Sequence, residues 1–393
     1  MSSHEVVIVA AKRSPLGAFQ GSLSDAQSPE LGAAAIRACI NESGIDANDV
    51  SEVLMGCVLP AGLGQAPARQ AALKAGLPLR AGCTTLNKVC GSGMKTAMLG
   101  SDLIRVGSAS VVVAGGMESM TNAPYLMPKA RGGYRMGHQE ILDHMFFDGL
   151  QNPSDGNMMG HFAEITAKKY GFSREDQDAF AIASVTRARE AMAAGAFDAE
   201  ITPVATRGRK GEVIVTDDEG PGSARIEKIP TLRPAFAKDG TVTAASSSSI
   251  SDGAAALLLM SAAEADKRGL QPLATIAGHS GYAHEPEWFT TAPVFAVKAL
   301  HHKLGWDPDN VDLYEINEAF ACVTMAAMAD VGLDHAKVNI NGGACALGHP
   351  IGASGARIIV TLLHALRNRG LKRGIASLCI GGGEAVAIGI ETV

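Results

Sequence analysis

Aromatic side chains make up only 5% of this 393-residue chain, and charged ones only 19%. So few rings argue against a surface on which bases stack, and a net charge of −6 gives no general attraction to nucleic acid or to an anionic membrane. The seven cysteines contain no Cys-x-x-Cys pair, and the N-terminus has no charged start leading into an apolar stretch. That pattern points to a reducing cytoplasm rather than to a disulfide framework or export. Nor does any apolar run reach the roughly 20 residues that a membrane-spanning helix needs, because Gly, Ser or a charge interrupts each one. What the chain does have is 47% hydrophobic residues, enough at this length for two or three cores.

Those residues alternate between two patterns. Val6 to Ala10 reads as a buried strand, Leu31 to Ser43 as an Ala-rich helix, Val53 to Val58 as a strand, Met94 to Val106 as a helix stopped by Gly107, and Ala109 to Gly116 as a strand. Such alternation indicates parallel β-α-β units. The same signals then return. Gly305-Trp306-Asp307-Pro308-Asp309-Asn310-Val311 reproduces Gly44-Ile45-Asp46-Ala47-Asn48-Asp49-Val50 at an offset of 305 − 44 = 261. Ala353-Ser354-Gly355-Ala356-Arg357 mirrors Gly91-Ser92-Gly93-Met94-Lys95 at 353 − 91 = 262. We read an internal duplication: residues 1–120 form one α/β half-domain, completed by about 250–270, and residues 271–393 form the other, packed about a pseudo-twofold axis.

Between the halves, residues 121–249 read as an inserted domain. Prolines and paired glycines mark irregular chain, and a strong helix runs from Ser173 to Ala194 with Ser173 as its cap. Its basic stretch Arg207-Gly208-Arg209-Lys210 is either a solvated turn or part of a phosphate-binding or subunit surface. The four serines Ser246 to Ser249 end the insert. They form either a loop that hugs a ligand or a flexible joint.

Four residues carry possible chemistry. Cys90 lies at a helix entrance, where unpaired N–H groups and the helix dipole favour a thiolate; the alternative is a small buried cysteine whose flanking glycines let a helix pack closely. Asn317, in Asn317-Glu318-Ala319-Phe320, follows a strand end that faces a crevice, or else caps the helix running through Met328. His349 is held between Gly348 and Pro350. Cys379 stands at a strand end before Gly381-Gly382-Gly383. The remaining cysteines read as packing residues, and without further ligands at metal spacing Cys345 and His349 do not make a zinc site.

Together, Cys90 in NKVCGSG, Asn317 in NEAF, His349 in GGACALGHPIGASGAR and Cys379 in CIGGG resemble the thiolase family, in order and spacing along essentially the whole chain. The resemblance implies a five-layered α-β-α-β-α thiolase fold with two duplicated α/β half-domains and an inserted loop domain, in a homo-oligomer, a dimer or tetramer. Similarity to the acetyl-CoA acetyltransferase branch implies that two acetyl-CoA give acetoacetyl-CoA and free CoA, or the reverse thiolysis. Coenzyme A thioesters are then substrates, and no cofactor or metal is called for. By the same resemblance Cys90 is the nucleophile, and His349 takes its proton and, with a water held by Asn317, helps hold a thioester oxygen in the first oxyanion hole. Asn317 positions a water in one oxyanion hole, Cys379 is the acid/base, and the N–H groups of Cys90 and Gly381 form a second hole. The pantetheine arm of CoA is expected along Ser248, Met159, Ala319 and Phe320, with Phe236 nearby and Arg225 as a candidate for the nucleotide end.

Two stretches depart from the family pattern. Ser246-Ser247-Ser248 stands where relatives have Asn-Ala-Ser, and Met158-Met159-Gly160 where they have His-Met-Gly, which removes one polar contact. The nearest rival reading is a 3-ketoacyl-CoA thiolase of fatty-acid β-oxidation, with the same catalytic residues and more room for the acyl group. A ketoacyl synthase has no use for a thiol at Cys379, and a non-catalytic acyl-CoA-binding protein would not need both Cys90 and Cys379. Neither Gly91-Ser92-Gly93 nor Gly381-Gly382-Gly383 is completed to the dinucleotide-binding GxGxxG.

Overall fold

The computed structural model describes residues 5–208 and 211–393. Arg209 and Lys210 of the basic stretch lie outside the described residues. The first half runs through β1 (Val6–Arg13), α1 (Ser28–Ser43), β2 (Glu52–Gly56), α2 (Pro67–Lys74), β3 (Gly82–Leu86), α3 (Ser92–Arg105) and β4 (Val111–Ser119). After an insert that includes α4 (Met159–Tyr170) and α5 (Arg174–Ala193), β5 (Ser251–Ser261) returns to it. The second half contains β6 (Ala274–Ala283), α6 (Ala292–Leu304), β7 (Leu313–Ile316), α7 (Ala321–Val331), α8 (Ile351–Asn368), β8 (Arg373–Ile380) and β9 (Glu384–Thr392).

Hydrogen-bonded neighbours run β7-β8-β9-β6-β1-β5-β4-β2-β3. Read outward from the β1/β6 seam, both halves follow one plan. β2 pairs in parallel with β3 and β4, as β7 does with β8, whereas β5 and β9 are antiparallel to both their neighbours. The all-parallel expectation therefore holds for only part of each half. At the free edge of β7 a single parallel bridge, Tyr314 to Val338, stands where β3 flanks β2. The seam itself is two antiparallel pairs, Val7 with Thr275 and Ile8 with Ala274, so the two sheets form one continuous ladder.

Three apolar clusters stack the halves into five layers. In the middle, α3 and α8 lie between the two sheets, joined by Met94, Ala97, Ile358, Leu362, Leu257 and Leu378. Outside the first sheet, α1 and α2 cover its far face through Ile36, Ala71 and Val113; outside the second, α6 and α7 do the same through Val297, Ala327 and Ile375. Residues Ile351–Leu366 of α8 are buried all round, which an outer-layer helix with a polar face cannot be.

Repeated signals in the sequence become repeated geometry. Gly44 and Gly305 cap α1 and α6 with φ of 68° and 65°, left-handed values that Gly adopts without steric cost. The mirrored trios bring α3 and α8 into backbone contact. A Cβ on Gly93 would lie 2.7 Å from the Ala356 nitrogen, and one on Gly355 would lie 2.3 Å from the Met94 nitrogen. Strand β4 runs on to Ser119, three residues beyond the double glycine, which marks a close approach to α8 rather than a strand end: a Cβ on Gly116 would lie 2.1 Å from the Gly352 carbonyl.

The insert folds over one end of this core. Ser173 caps α5 in a capping box with Asp176. Buried Arg13 at the end of β1 anchors the insert, bonding Glu200 at 2.5 Å and Asp218 at 2.7 and 2.8 Å. Burial lowers this guanidinium's pKa, but the two carboxylates outweigh burial and hold it above the usual arginine value.

Candidate active site

Cys90 comes at the end of a strained turn. Val89, β-branched, has φ of 45°, a conformation that costs about 1–3 kcal/mol and persists only where the surroundings impose it. Three contacts impose it here. Val89 N–H donates to Asn87 Oδ1 at 2.9 Å, Lys88 N–H donates to Ser92 Oγ at 2.8 Å, and the Ser92 hydroxyl donates to the Val89 carbonyl at 2.6 Å. Lys88 Nζ, 2.5 Å from Glu384 Oε2, ties the turn to β9. Gly91 lies against Ile380, whose Cδ1 would be 2.4 Å from a Cβ there, so the close packing that the glycines suggest is present, while Cys90 itself stays half-buried.

The expected thiolate is not the resting state. Burial pushes the Cys90 thiol up to about 11, the Glu118 charge adds to this, and the backbone N–H groups of Gly381 and Cys90 only partly offset it. Helix α3 begins at Ser92, and its dipole does not overcome the loss of water. The same two N–H groups are those assigned above to the second oxyanion hole.

His349 is buried, and burial, then Arg357, lowers its pKa to about 3, so the ring is neutral. Its Nδ1 is 2.6 Å from Ser354 Oγ and 3.5 Å from Asn317 Nδ2, while its Nε2 and Asn317 Oδ1 have no partner. No hydrogen bond joins Nε2 to Cys90. Asn317 does not cap α7, whose N-cap is Phe320; its N–H donates to the Ser377 carbonyl at 3.0 Å, which leaves the side chain free for the site. Cys379 is fully buried, and burial, the Cys90 charge and then that of Cys322 hold its thiol well above the usual range. It belongs to one apolar cluster with Ala319 and Phe320, against which Met159 and Phe236 pack.

A cavity of about 200 Å³ leads to His349 and is lined by Met159, Phe236, Ser248, Ala319 and Phe320, five of the six residues assigned above to CoA. The sixth, Arg225, is exposed and lines no part of it. A wider surface cleft of about 640 Å³ around Trp288 contains none of the candidate residues. The serine stretch is no flexible joint. Ser248 N–H donates to the Ala319 carbonyl at 3.0 Å, Ala321 N–H to the Ser246 carbonyl at 2.8 Å, and His349 N–H to the Ser249 carbonyl at 3.1 Å, so it ties the Asn317 and His349 segments together.

Sequence reading missed two parts of the site. Buried Glu118 accepts from the N–H groups of Val58 at 2.9 Å, Leu59 at 3.2 Å and Gly352 at 2.9 Å, pinning the start of α8 to the first half. Burial pushes this carboxyl up to about 7, although those N–H groups pull it down. An acid following Gly115-Gly116 in an apolar strand was the available signal. The other part is a π-helix, Met145–Leu150, whose Met145 joins Val58, Leu59, Met120 and Ile351 in an apolar cluster against Cys90. Such i→i+5 turns are rare, and no residue pattern announced this one.

Known proteins agree with this architecture. The description "Thiolase, N-terminal domain" matches residues 6–263, and "Thiolase, C-terminal domain" matches residues 270–392. An acetyl-CoA acetyltransferase of Pseudomonas aeruginosa is 52% identical, with 98% of each chain covered. One of Schizosaccharomyces pombe is 49% identical, with 100% of each covered. The crystal structure of the Bacillus anthracis acetyl-CoA acetyltransferase superposes with a TM-score of 0.97 at 41% identity, covering 100% of both chains. With a duplicated five-layered fold and relatives of this similarity along the whole length, the chain belongs to the thiolase family.

Proposed function

We propose that the protein condenses two acetyl-CoA to acetoacetyl-CoA and free CoA, and runs the reverse thiolysis, through an acetyl group carried on Cys90. The observation that carries this reading is the pairing of two N–H donors at the Cys90 sulfur with an unpartnered Nε2 on a neutral His349 at the end of the cavity. A thiol and a neutral imidazole are the reactants for a proton transfer. The Cys90 S–H bond breaks, His349 takes the proton, and the sulfur's electron pair attacks the thioester carbon. The departing CoA sulfur takes the Cys379 proton, which leaves Cys379 as thiolate, and His349 keeps the proton it took from Cys90. In the second half-reaction that Cys379 thiolate removes a methyl proton from the incoming acetyl-CoA, the resulting carbanion displaces Cys90 from the acetyl group, and His349 returns its proton to the departing Cys90 sulfur. Burial that disfavours the Cys379 thiolate also makes it a stronger base once formed. Asn317, beside His349, holds the water of the first oxyanion hole.

The wall of Val58, Leu59, Met120, Met145 and Ile351 beside Cys90 supports a short acyl group over the longer chains of β-oxidation. The pantetheine arm follows the cavity lining, Arg225 meets the nucleotide end, and no metal or resident cofactor takes part. The enzyme works in the cytoplasm as a homo-oligomer, where its seven cysteines stay reduced. No helix among the described residues is long and apolar enough to cross a membrane.

The two cysteines separate the steps of this scheme. Cys90→Ala removes the attachment atom and should stop both half-reactions. Cys379→Ala should still accept acetyl on Cys90, read by mass spectrometry, while condensation falls by about 10² to 10⁴, the usual worth of a general base. Normal condensation by Cys379→Ala, or acetyl found on Cys379 with Cys90 free, would overturn the assignment.

A further inference from the structure

We propose that Ser354 is a positioning residue that holds His349 in the one tautomer able to accept the Cys90 proton, and that it is the second-half counterpart of Ser92. This inference rests on the function proposed above and deepens it. Ser354 Oγ lies 2.6 Å from His349 Nδ1 and donates its hydroxyl proton to the Pro350 carbonyl at 2.9 Å. A hydroxyl has one proton, and a carbonyl oxygen can only accept. The contact at Nδ1 is therefore Nδ1–H donating to Oγ. A neutral imidazole has a single N–H, so Nε2 holds a bare lone pair. That nitrogen is the buried, unpartnered one on a residue lining the cavity. Asn317 does not compete, since its nearest atom stands 3.5 Å from Nδ1, beyond a good hydrogen bond.

Ser92 does the matching work in the first half. The offset 354 − 92 = 262 is that of the mirrored trios, and both serines are fully buried. Each is an acceptor for the functional turn ahead of its helix and a donor to a carbonyl of that same turn. Ser92 accepts from Lys88 N–H and donates to the Val89 carbonyl, which fixes the Cys90 turn; Ser354 accepts from His349 and donates to the Pro350 carbonyl. One serine of the duplicated unit sets the nucleophile and the other sets its base.

Removing the Ser354 hydroxyl deprives Nδ1–H of its acceptor and lets the opposite tautomer form, whose Nε2–H cannot take the Cys90 proton. Ser354→Ala should keep its KM for acetoacetyl-CoA and lose about 10²-fold in kcat, the lower end of what a positioned base contributes. Ser354→Thr, which keeps a hydroxyl, should recover most of that loss. The direct readout is nitrogen NMR of protein labelled in the imidazole rings of its 11 histidines, with the His349 pair assigned by subtracting the His349→Asn spectrum. Wild type should show a protonated Nδ1 and a bare Nε2, and Ser354→Ala a mixture. A wild-type spectrum with the proton on Nε2, or a folded Ser354→Ala enzyme with unchanged kcat, would overturn the proposal. If Ser354→Ala does not fold, the wild-type spectrum alone decides. The spectrum is independent of turnover, so a protein without thiolase activity would refute the function and still report the tautomer.

Discussion

At the scale of single residues, the candidate site is a set of desolvated groups that favour their uncharged forms. With Cys90 pushed up to about 11 and His349 down to about 3, thiol and imidazole are both neutral across the intervening range. The sign of the pH response follows from this. Thiolate at Cys90 increases about tenfold per pH unit below its pKa, so inactivation of the free enzyme by iodoacetamide should climb through neutral and mildly alkaline pH without levelling. A plateau from mildly acid pH upward would mean a pre-formed thiolate–imidazolium pair instead. Sequence position suggested the opposite, a thiolate favoured by the helix start. That argument weighed only the dipole, and the chain packed about Cys90, Ile380 at the end of β8 and the Met145 cluster of the π-helix, is distant in sequence.

At the scale of elements, α3 and α8 meet through glycines because both trios lie where the helices cross. In Gly355→Ala the new methyl would press on the backbone of Met94, which cannot rotate away, so unfolding by denaturant should show a loss of about 1–3 kcal/mol or more. An unchanged midpoint would mean that the helices can separate. The π-helix is the other element with a direct consequence. Met145 closes the apolar wall beside Cys90, and Gly149 lets the turn approach Ile351, whose Cδ1 would be 3.0 Å from a Cβ. Efficiency of thiolysis should fall from acetoacetyl-CoA to longer 3-ketoacyl-CoA substrates, and Met145→Ala should flatten that fall. A wild-type efficiency that rises with chain length would favour the β-oxidation reading. Helix and strand positions were largely readable, because their apolar periodicity and caps are local. Asn317 was not settled by its own segment, since whether it caps α7 depends on where that helix begins.

At the scale of the whole molecule, the duplicated halves leave a sheet edge in the first half where, among the described residues, β3 pairs with β2 alone. Leu79, just ahead of β3, is also 78% exposed, and Met136 on the insert is 91% exposed. Bare strand edges and exposed apolar side chains favour association. Light scattering should therefore give a mass of two or four chains of 40.5 kDa, and a monomer at working concentrations would refute the oligomer. The sequence by itself determined the repeat at offsets of 261 and 262, the cap glycines and the Ser173 helix, and it singled out the four residues proposed to carry the chemistry, since each is written in neighbouring positions. Only the tertiary structure decided the desolvation of Cys90 and His349, the contact between Ser354 and His349, the clamp made by Glu118 and the apolar cluster beside Cys90. Those depend on burial and on contacts between the two halves and the insert, and desolvation and hydrogen-bond direction are properties of what surrounds a group, not of the residues beside it in the chain.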